Sequence, residues 1–374
     1  MSDQSNKPNI VIACGGTGGH LFPGLAVAQQ FTRRNCTVTL IVSKKEVDQQ
    51  ALQNVWGMEI VTLPAVGLAG KNYIGFALAL LKSFLAAKKL FKAKPPQAVL
   101  AMGGFTSLAP ILAGKFAGAP TFLHESNAVP GRANRWLSHH VNRVFVGFSH
   151  AAPLFTGCDV TDIGMPVRAQ FTPRDPVASL SMLGLDPTRS TLLIMGGSQG
   201  ATAINDLLIQ SLPHLVKLLP EFQFLHITGD KDEERVRRAY ETHASGKFSV
   251  RPFLAEMQHA LSAATVAVSR AGASSLAEIA ALRVPTILIP YPAAVDNHQL
   301  YNAREYARTG AARLLEQADA TPEILGQLIV ALARNATVRQ ALLVALPCWH
   351  RPRAAEAIAD QILKVMRETK AERK

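Results

Sequence analysis

Two stretches of this chain read almost alike. "VIACGGTGG" (residues 11–19) and "LLIMGGSQG" (192–200) are each a short apolar run that breaks into paired glycines, a hydroxyl residue and then a helical pattern. An apolar run without polar alternation is buried on both faces, as the strands of parallel sheets are. A glycine turn from such a strand into a helix brings helix N–H groups to the strand's carboxyl end, where an anion is favoured. The repeated device restricts the chain to parallel α/β architecture built in two similar halves. The rest of the pattern agrees. "NIVIAC", "CTVTLIVS", "MEIVTL", "QAVLAM", "TFLH" and "RVFVG" alternate with helical segments in the first half, and "TLLIM", "FQFLHIT", "FSVRPF", "TVAVS" and "PTILIP" do so in the second. Proline, glycine and charge interrupt the periodicity at "DIGMPVRAQFTPRDP", which marks a linker. The expected fold class is α/β, with two doubly wound Rossmann-like domains facing across a cleft and ligands at the carboxyl ends of their strands.

The first glycine loop is not a dinucleotide fingerprint. Counting from Gly16, glycines are required at 18 and 21, and position 21 is Leu21; the next strand ends in Ser43 rather than an acid for the adenosine ribose. NAD is therefore disfavoured, while a phosphate-bearing ligand of another kind is not. With 374 residues and 48% hydrophobic content, the chain has material for two domains. The cysteines Cys14, Cys36, Cys158 and Cys348 form no C-x-x-C pair and no metal-ligand spacing, so neither a disulfide frame nor structural zinc is expected, and a reducing cytoplasm fits. The polar start "MSDQSNKPN" predicts no signal peptide, and no stretch approaches the roughly 20 apolar residues of a membrane span.

The net charge of +12 is unevenly spread. Between residues 60 and 158 stand ten basic residues, among them Lys71, Lys82, Lys88, Lys89, Lys92, Lys94 and Lys115, against the single acid Glu125. Such a region faces an anionic partner. Nucleic acid is not expected, because aromatics make up only 6% of the chain and no nucleic-acid-binding motif is present. In "NYIGFALALLKSFLAAKKLFK", Ile74, Leu78, Leu81, Phe84 and Leu85 recur at helical spacing beside the lysines. Two readings stand open for that helix: an amphipathic element lying on an anionic membrane surface, or an ordinary helix packed on its own sheet with solvated lysines.

In the second half, "TVAVSRAGASSLAEIAA" reads as a strand, a turn through Arg270 and Gly272, and a helix starting at Ala273–Ser275. Backbone N–H groups at that helix start suit a diphosphate, and Glu278 a few residues on could accept both hydroxyls of a ribose. An acid complementing the helix dipole is the competing explanation. Asp230 and Asp232 in "GDKDEERVRR" have the D-x-D spacing that holds a divalent metal elsewhere, but acids opening a helix are expected from the dipole alone, and no metal site is expected here.

Seven motifs in order, "GGTGGHLFPGLAVA", "MGGF", "HESNAVPGRANR", "GMPVR", "GGSQGATAIN", "SRAGASSLAEIAA" and "DNHQLYNA", make the chain resemble the MurG family, the bacterial lipid-linked N-acetylglucosaminyltransferases of peptidoglycan synthesis. The resemblance runs from about residue 9 to about residue 365. It implies a GT-B glycosyltransferase fold. Residues 1–165 would bind the acceptor and the membrane surface, residues 166–350 would bind UDP-N-acetylglucosamine, and residues 351–374 would form a helix packing back on the first domain. The implied reaction is inverting transfer of N-acetylglucosamine from UDP-N-acetylglucosamine to the C4 hydroxyl of undecaprenyl-pyrophosphoryl-N-acetylmuramyl pentapeptide. It would take place peripherally at the cytoplasmic face of the inner membrane, with no cofactor. Carried over residue by residue, the substrate contacts are Thr17, Gly18, Gly19, Asn127, Arg168, Ser198, Leu254, Ala273, Ser274, Ser275, Leu276, Ala277, Glu278, His298 and Gln299, and the catalytic candidates are His20, Asn127 and Glu125. His20 would serve as a general base. Two other readings stay open at this point: a UDP-N-acetylglucosamine 2-epimerase of related fold, and a nonenzymatic protein that binds anionic lipid.

Overall fold

In the computed structural model, which describes residues 7–43, 57–64, 73–197 and 200–372, the run "NIVIA" forms β1 (Asn9–Ala13) and the glycine turn after it leads into α1 (Gly18–Arg33). The chain continues through β2 (Thr37–Val42), β3 (Glu59–Thr62), α2 (Tyr73–Ala93), β4 (Ala98–Ala101) and α3 (Leu108–Phe116). After these come β5 (Thr121–Glu125), α4 (Arg132–Ser138), β6 (Arg143–Val146) and β7 (Val160–Asp162). These seven strands form one parallel sheet in the order β3-β2-β1-β4-β5-β6-β7. Alternate residues of β1 serve opposite faces. Ile10 and Ile12 join Leu21, Leu25 and Phe31 of α1, while Val11 and Ala13 join Ala87 and Phe91 of α2 and Ile111 of α3. This two-sided burial explains why the strand reads as continuously apolar.

The second set of elements repeats the plan. It comprises α5 (Pro176–Met182), β8 (Ser190–Met195), α6 (Thr202–Leu218), β9 (Phe222–Ile227), α7 (Glu233–His243), β10 (Phe248–Arg251), α8 (Met257–Ala263) and β11 (Val266–Ser269). Next are α9 (Ala273–Leu282), β12 (Thr286–Leu288), α10 (His298–Arg308), β13 (Arg313–Leu314), α11 (Pro322–Arg334) and α12 (Ala336–Ala345). The sheet is parallel, in the order β10-β9-β8-β11-β12-β13. Finally α13 (Ala354–Glu372) places Ile358, Ala359 and Ile362 against Leu21, Leu25 and Phe31 of α1, and its Asp360 pairs with Arg34 at 2.8 Å.

The backbone divides into two compact units, Met1–Arg168 with Arg351–Lys374, and Ala169–His350. The change of unit thus falls after Arg168 rather than after residue 165, and Arg168 belongs to the first unit. In each sheet the strand order reverses once, between β1 and β4 and between β8 and β11. Such a reversal opens a crevice at the strands' carboxyl ends. All four glycine-bearing turns that stand out in the sequence leave those strands: Gly15–Thr17 and Gly103–Gly104 in the first unit, Gly196–Gly197 and Arg270–Gly272 in the second.

Candidate functional site

In the first unit the turn after β1 is tightly built. A side chain at Gly15 would run into the backbone of Val42 and Ser43, so only glycine passes there. Thr106 Oγ1 donates to Gly15 O at 2.8 Å and ties this turn to the one after β4. Thr17 occupies the N-cap of α1 with extended backbone, yet its side chain caps no helix N–H. Its hydroxyl lies instead 3.3 Å from Nδ1 of His20, at the surface. The other side of the imidazole rests on the β4 turn: a Cβ at Gly103 would stand 3.1 Å from His20 Nε2, and one at Gly104 would stand 3.0 Å from Cε1. Gly103 and Gly104 also adopt φ of 105° and 77°, which other residues rarely hold. The pair of glycines therefore makes room for the ring.

Glu125 ends β5 and is buried. Its Oε1 accepts from the backbone N of Asn127 at 2.8 Å and from Asn127 Nδ2 at 3.2 Å. Its Oε2 accepts from Gly131 N at 3.1 Å and Asn134 Nδ2 at 2.7 Å. Burial pushes the carboxyl above its ordinary range, against the downward pull of those four donors. The carboxylate thus folds the loop 126–131 around itself and presents Asn127 at its start. Beside it, fully buried His124 lies between Gly164 O at 3.2 Å and Ser126 Oγ at 3.3 Å. Burial lowers His124 to about 4, so it is neutral. Arg168, half-buried, lays its guanidinium 4.1 Å from the centre of the Phe22 ring on α1.

In the second unit the turn after β11 prepares the start of α9. Buried Arg270 donates through Nη1 to Ile289 O at 3.0 Å and Pro290 O at 3.2 Å, joining the ends of β11 and β12; burial lowers it to about 10. Gln299 Oε1 accepts from Ala271 N at 3.3 Å and Tyr291 N at 3.0 Å, which orients its amide nitrogen away from those contacts. Asn302 Nδ2 donates to Ala271 O at 3.2 Å. The helix itself opens at Gly272, where a Cβ would meet no heavy atom within 4 Å, and has no acid in its first turn. An open helix N-terminus of this kind favours a diphosphate. Glu278, only 8% exposed, is the sixth residue of α9 and so lies beyond the first turn, where the dipole is most felt. His298 begins α10 with Nδ1 2.8 Å from Val295 O. Leu254 is buried in the loop after β10.

The expected site residues fall into two groups. Thr17, Gly18, Gly19, His20, Glu125, Asn127 and Arg168 belong to the first unit; Leu254, Ala273–Glu278, His298 and Gln299 belong to the second. Ser198 and Lys71 lie outside the described residues. The D-x-D pair resolves differently from a metal site. Asp232 Oδ2 accepts from Thr202 Oγ1 at 2.7 Å and Asn205 Nδ2 at 2.9 Å, and Oδ1 accepts from Arg235 at 2.8 Å. Burial raises this carboxyl, but those donors outweigh it and hold it low. Among the described residues no group of three or more His, Cys, Asp or Glu is arranged to hold a metal ion.

The lysine-rich helix α2 packs through one face only. Ser83, Ala87 and Phe91 are buried, whereas Ile74 is 78% exposed and Leu78, Leu81 and Leu85 are each more than half exposed. Exposed Phe116 of α3 extends the patch, edge-on to Phe84 at 6.5 Å, with Lys88 Nζ 4.1 Å above its ring. Exposed apolar side chains beside lysines are a combination that docking surfaces share. Among the described residues no single helix is long and apolar enough to cross a membrane.

Two family models match. The N-terminal domain of glycosyltransferase family 28 matches residues 10–146, and its C-terminal domain matches residues 191–343. A protein from Nitratidesulfovibrio vulgaris, named UDP-N-acetylglucosamine–N-acetylmuramyl-(pentapeptide) pyrophosphoryl-undecaprenol N-acetylglucosamine transferase, is 36% identical over 366 residues, covering 96% of this chain and 98% of its own. The crystal structure of Acinetobacter baumannii MurG superimposes with a TM-score of 0.76 at 29% identity, covering 96% of this chain and 99% of that one. A putative UDP-N-acetylglucosamine 2-epimerase from Listeria monocytogenes superimposes with a TM-score of 0.72 at 15% identity over 97% of both chains, a likeness of fold alone.

Proposed function

The chain belongs to glycosyltransferase family 28, and we infer from this that it is the N-acetylglucosaminyltransferase that makes lipid II. It transfers N-acetylglucosamine from UDP-N-acetylglucosamine to the C4 hydroxyl of undecaprenyl-pyrophosphoryl-N-acetylmuramyl pentapeptide, with inversion, and releases UDP. The observation that carries this reading is the match to relatives so named over nearly the full length of both chains. The donor is a substrate, and no cofactor is required.

The division of labour follows from the two switch points. In the second unit, the open start of α9 takes the donor's diphosphate, Glu278 takes the ribose diol, and Leu254 meets uracil through its backbone. Gln299, whose carbonyl is anchored on two backbone N–H groups, offers its amide nitrogen to the sugar; His298, turned back on Val295, is secondary. In the first unit, the Gly15–Gly19 turn holds the acceptor's pyrophosphate, with the Thr17 hydroxyl and the N-terminus of α1 as donors. His20 takes the proton from the C4 hydroxyl as that oxygen attacks the sugar's C1. The bond from C1 to the β-phosphate oxygen breaks and its electron pair leaves with UDP. The helix start of α9 stabilises that developing charge, as fixed donors do best in a preorganised site. Glu125, with both oxygens engaged by the loop, is a positioning residue for Asn127 rather than the base.

The exposed face of α2, with Phe116, docks on the anionic cytoplasmic face of the inner membrane, where the acceptor's lipid resides. Apolar side chains enter the headgroup region while the lysines meet lipid phosphates. Incubation with UDP-N-acetylglucosamine, with and without a lipid-linked muramyl acceptor, tests the reading. UDP appears only when the acceptor is present. UDP release independent of acceptor, or a manno isomer of the donor, contradicts it.

A further inference from the structure

Asn134 is a polar residue that the sequence gives no reason to single out, yet it sits between the two halves of the first unit's site. It lies on α4, 4% exposed, and its Nδ2 is held by Glu125 Oε2 at 2.7 Å. Nδ2 also stands 3.1 Å from where a Cβ of Gly103 would be, and His20 Nε2 stands 3.1 Å from the same point. The amide nitrogen and the imidazole therefore border the same glycine, within twice that distance of each other. Because the Glu125 carboxylate fixes which end of the amide is nitrogen, Oδ1 is left as the other end. It is buried and has no hydrogen-bond partner among the described residues. A buried acceptor left unmatched in a folded protein calls for a reason.

We propose that Asn134 is a positioning residue for His20, its Oδ1 serving as acceptor for the Nε2–H of the imidazolium that forms when Nδ1 takes the acceptor sugar's proton. This rests on the reading of His20 as base. The two ring nitrogens have different neighbours: Nδ1 lies 3.3 Å from the Thr17 hydroxyl and also borders Gly104, and Nε2 borders Gly103. Contact through one water, or a small approach of the ring once it is charged, would link the ring to Glu125 by way of a single amide and keep the catalytic histidine in register with the loop that carries Asn127. The arrangement follows the general logic in which a base is oriented by a third group. The titratable groups on the neighbouring strand are His124, which is neutral, and Glu125 itself, which the amide touches at its other end.

The test is a set of pH–rate profiles for the full-length enzyme with a soluble lipid I analogue, comparing wild type with Asn134→Leu and Asn134→Asp. Asn134→Leu removes the acceptor. It should lower kcat by about a hundredfold, the cost typical of an ångström's misplacement, and leave the KM for UDP-N-acetylglucosamine within about twofold. It should also move the acid limb of kcat/KM down by about one pH unit, since the imidazolium loses a hydrogen bond. Asn134→Asp sets a second carboxyl against buried Glu125, where the pair shares one proton, so it keeps an acceptor without adding net charge and its acid limb should stay near the wild-type position. A purely structural role would not separate the two variants in this way. If both variants keep the wild-type pH profile while His20→Ala is inactive, this inference falls and the base assignment stands. If His20→Ala retains turnover, the base assignment falls and takes this inference with it. Should Asn134→Leu not fold by circular dichroism, Asn134→Ala, which also lacks the acceptor, takes its place in the comparison.

Discussion

Replacing Glu278 by alanine separates a ribose contact from a helix-dipole acid. The residue is buried at 8% exposure, on the second turn of α9, and alanine is the best helix former, so the helix itself should stand. Its sixth position leaves little dipole stabilisation to lose. The contact under test is the hydrogen bonding of a carboxylate to two ribose hydroxyls. Hydrogen bonds to a charged group contribute about 1.5 to 3 kcal/mol, which is roughly a 10- to 150-fold rise in Kd. Titration calorimetry should show that loss equally for UDP and for UDP-N-acetylglucosamine, because both carry the ribose. Gln299→Ala provides the contrast: it should weaken UDP-N-acetylglucosamine clearly more than UDP, because its amide nitrogen meets the sugar while its carbonyl only braces the turn before α9. Unchanged UDP affinity in Glu278→Ala, or equal loss of both ligands in Gln299→Ala, would refute the layout of the donor site.

Other perturbations probe the remaining parts. Gly272→Ala should be tolerated, since φ is −67° and the space is open, whereas Gly272→Asp should abolish UDP binding by setting a carboxylate where the diphosphate sits; equal UDP affinity in the two variants would remove the diphosphate from that helix start. Changing Lys82, Lys88, Lys89 and Lys92 to glutamine should lower partition onto anionic vesicles at least about tenfold, while a short-chain soluble acceptor is turned over normally. Flotation that matches wild type would return α2 to a solvated role. Stability should fall with acid. His124 and His226 are fully buried and lowered by burial to about 4 and about 3. Below about pH 6.5 the unfolded chain binds protons that the folded one refuses, and each histidine costs up to about 1.4 kcal/mol per pH unit until its folded value is reached. A melting temperature level between pH 7 and 5 would contradict this.

The sequence made much of this legible because the strands are buried on both faces. Eleven apolar runs coincide with β1–β6 and β8–β12 to within a residue or two at their ends. The two strands not anticipated, β7 at three residues and β13 at two, are too short to carry a period. The glycine turns were visible as motifs, but their meaning came from topology, which sets them at the two points where the strand order reverses. Glu278 stood out because a carboxylate follows a glycine turn at short range. Asn134 did not, since its importance depends on contacts to residues 31 and nine positions away in sequence. The exposed face of α2 was legible as a periodicity, but only burial shows that a second apolar face is left uncovered.

The most direct test of the account follows the sugar itself. UDP-N-acetylglucosamine labelled at C1 of the sugar is incubated with lipid I in anionic vesicles and the protein, and the lipid product is isolated for NMR of the new glycosidic linkage. Label should appear in the lipid fraction, joined to C4 of the muramyl residue with the β configuration opposite to the donor's, with one UDP released per sugar transferred. Label that stays water-soluble, an α linkage, or attachment at another hydroxyl would contradict it.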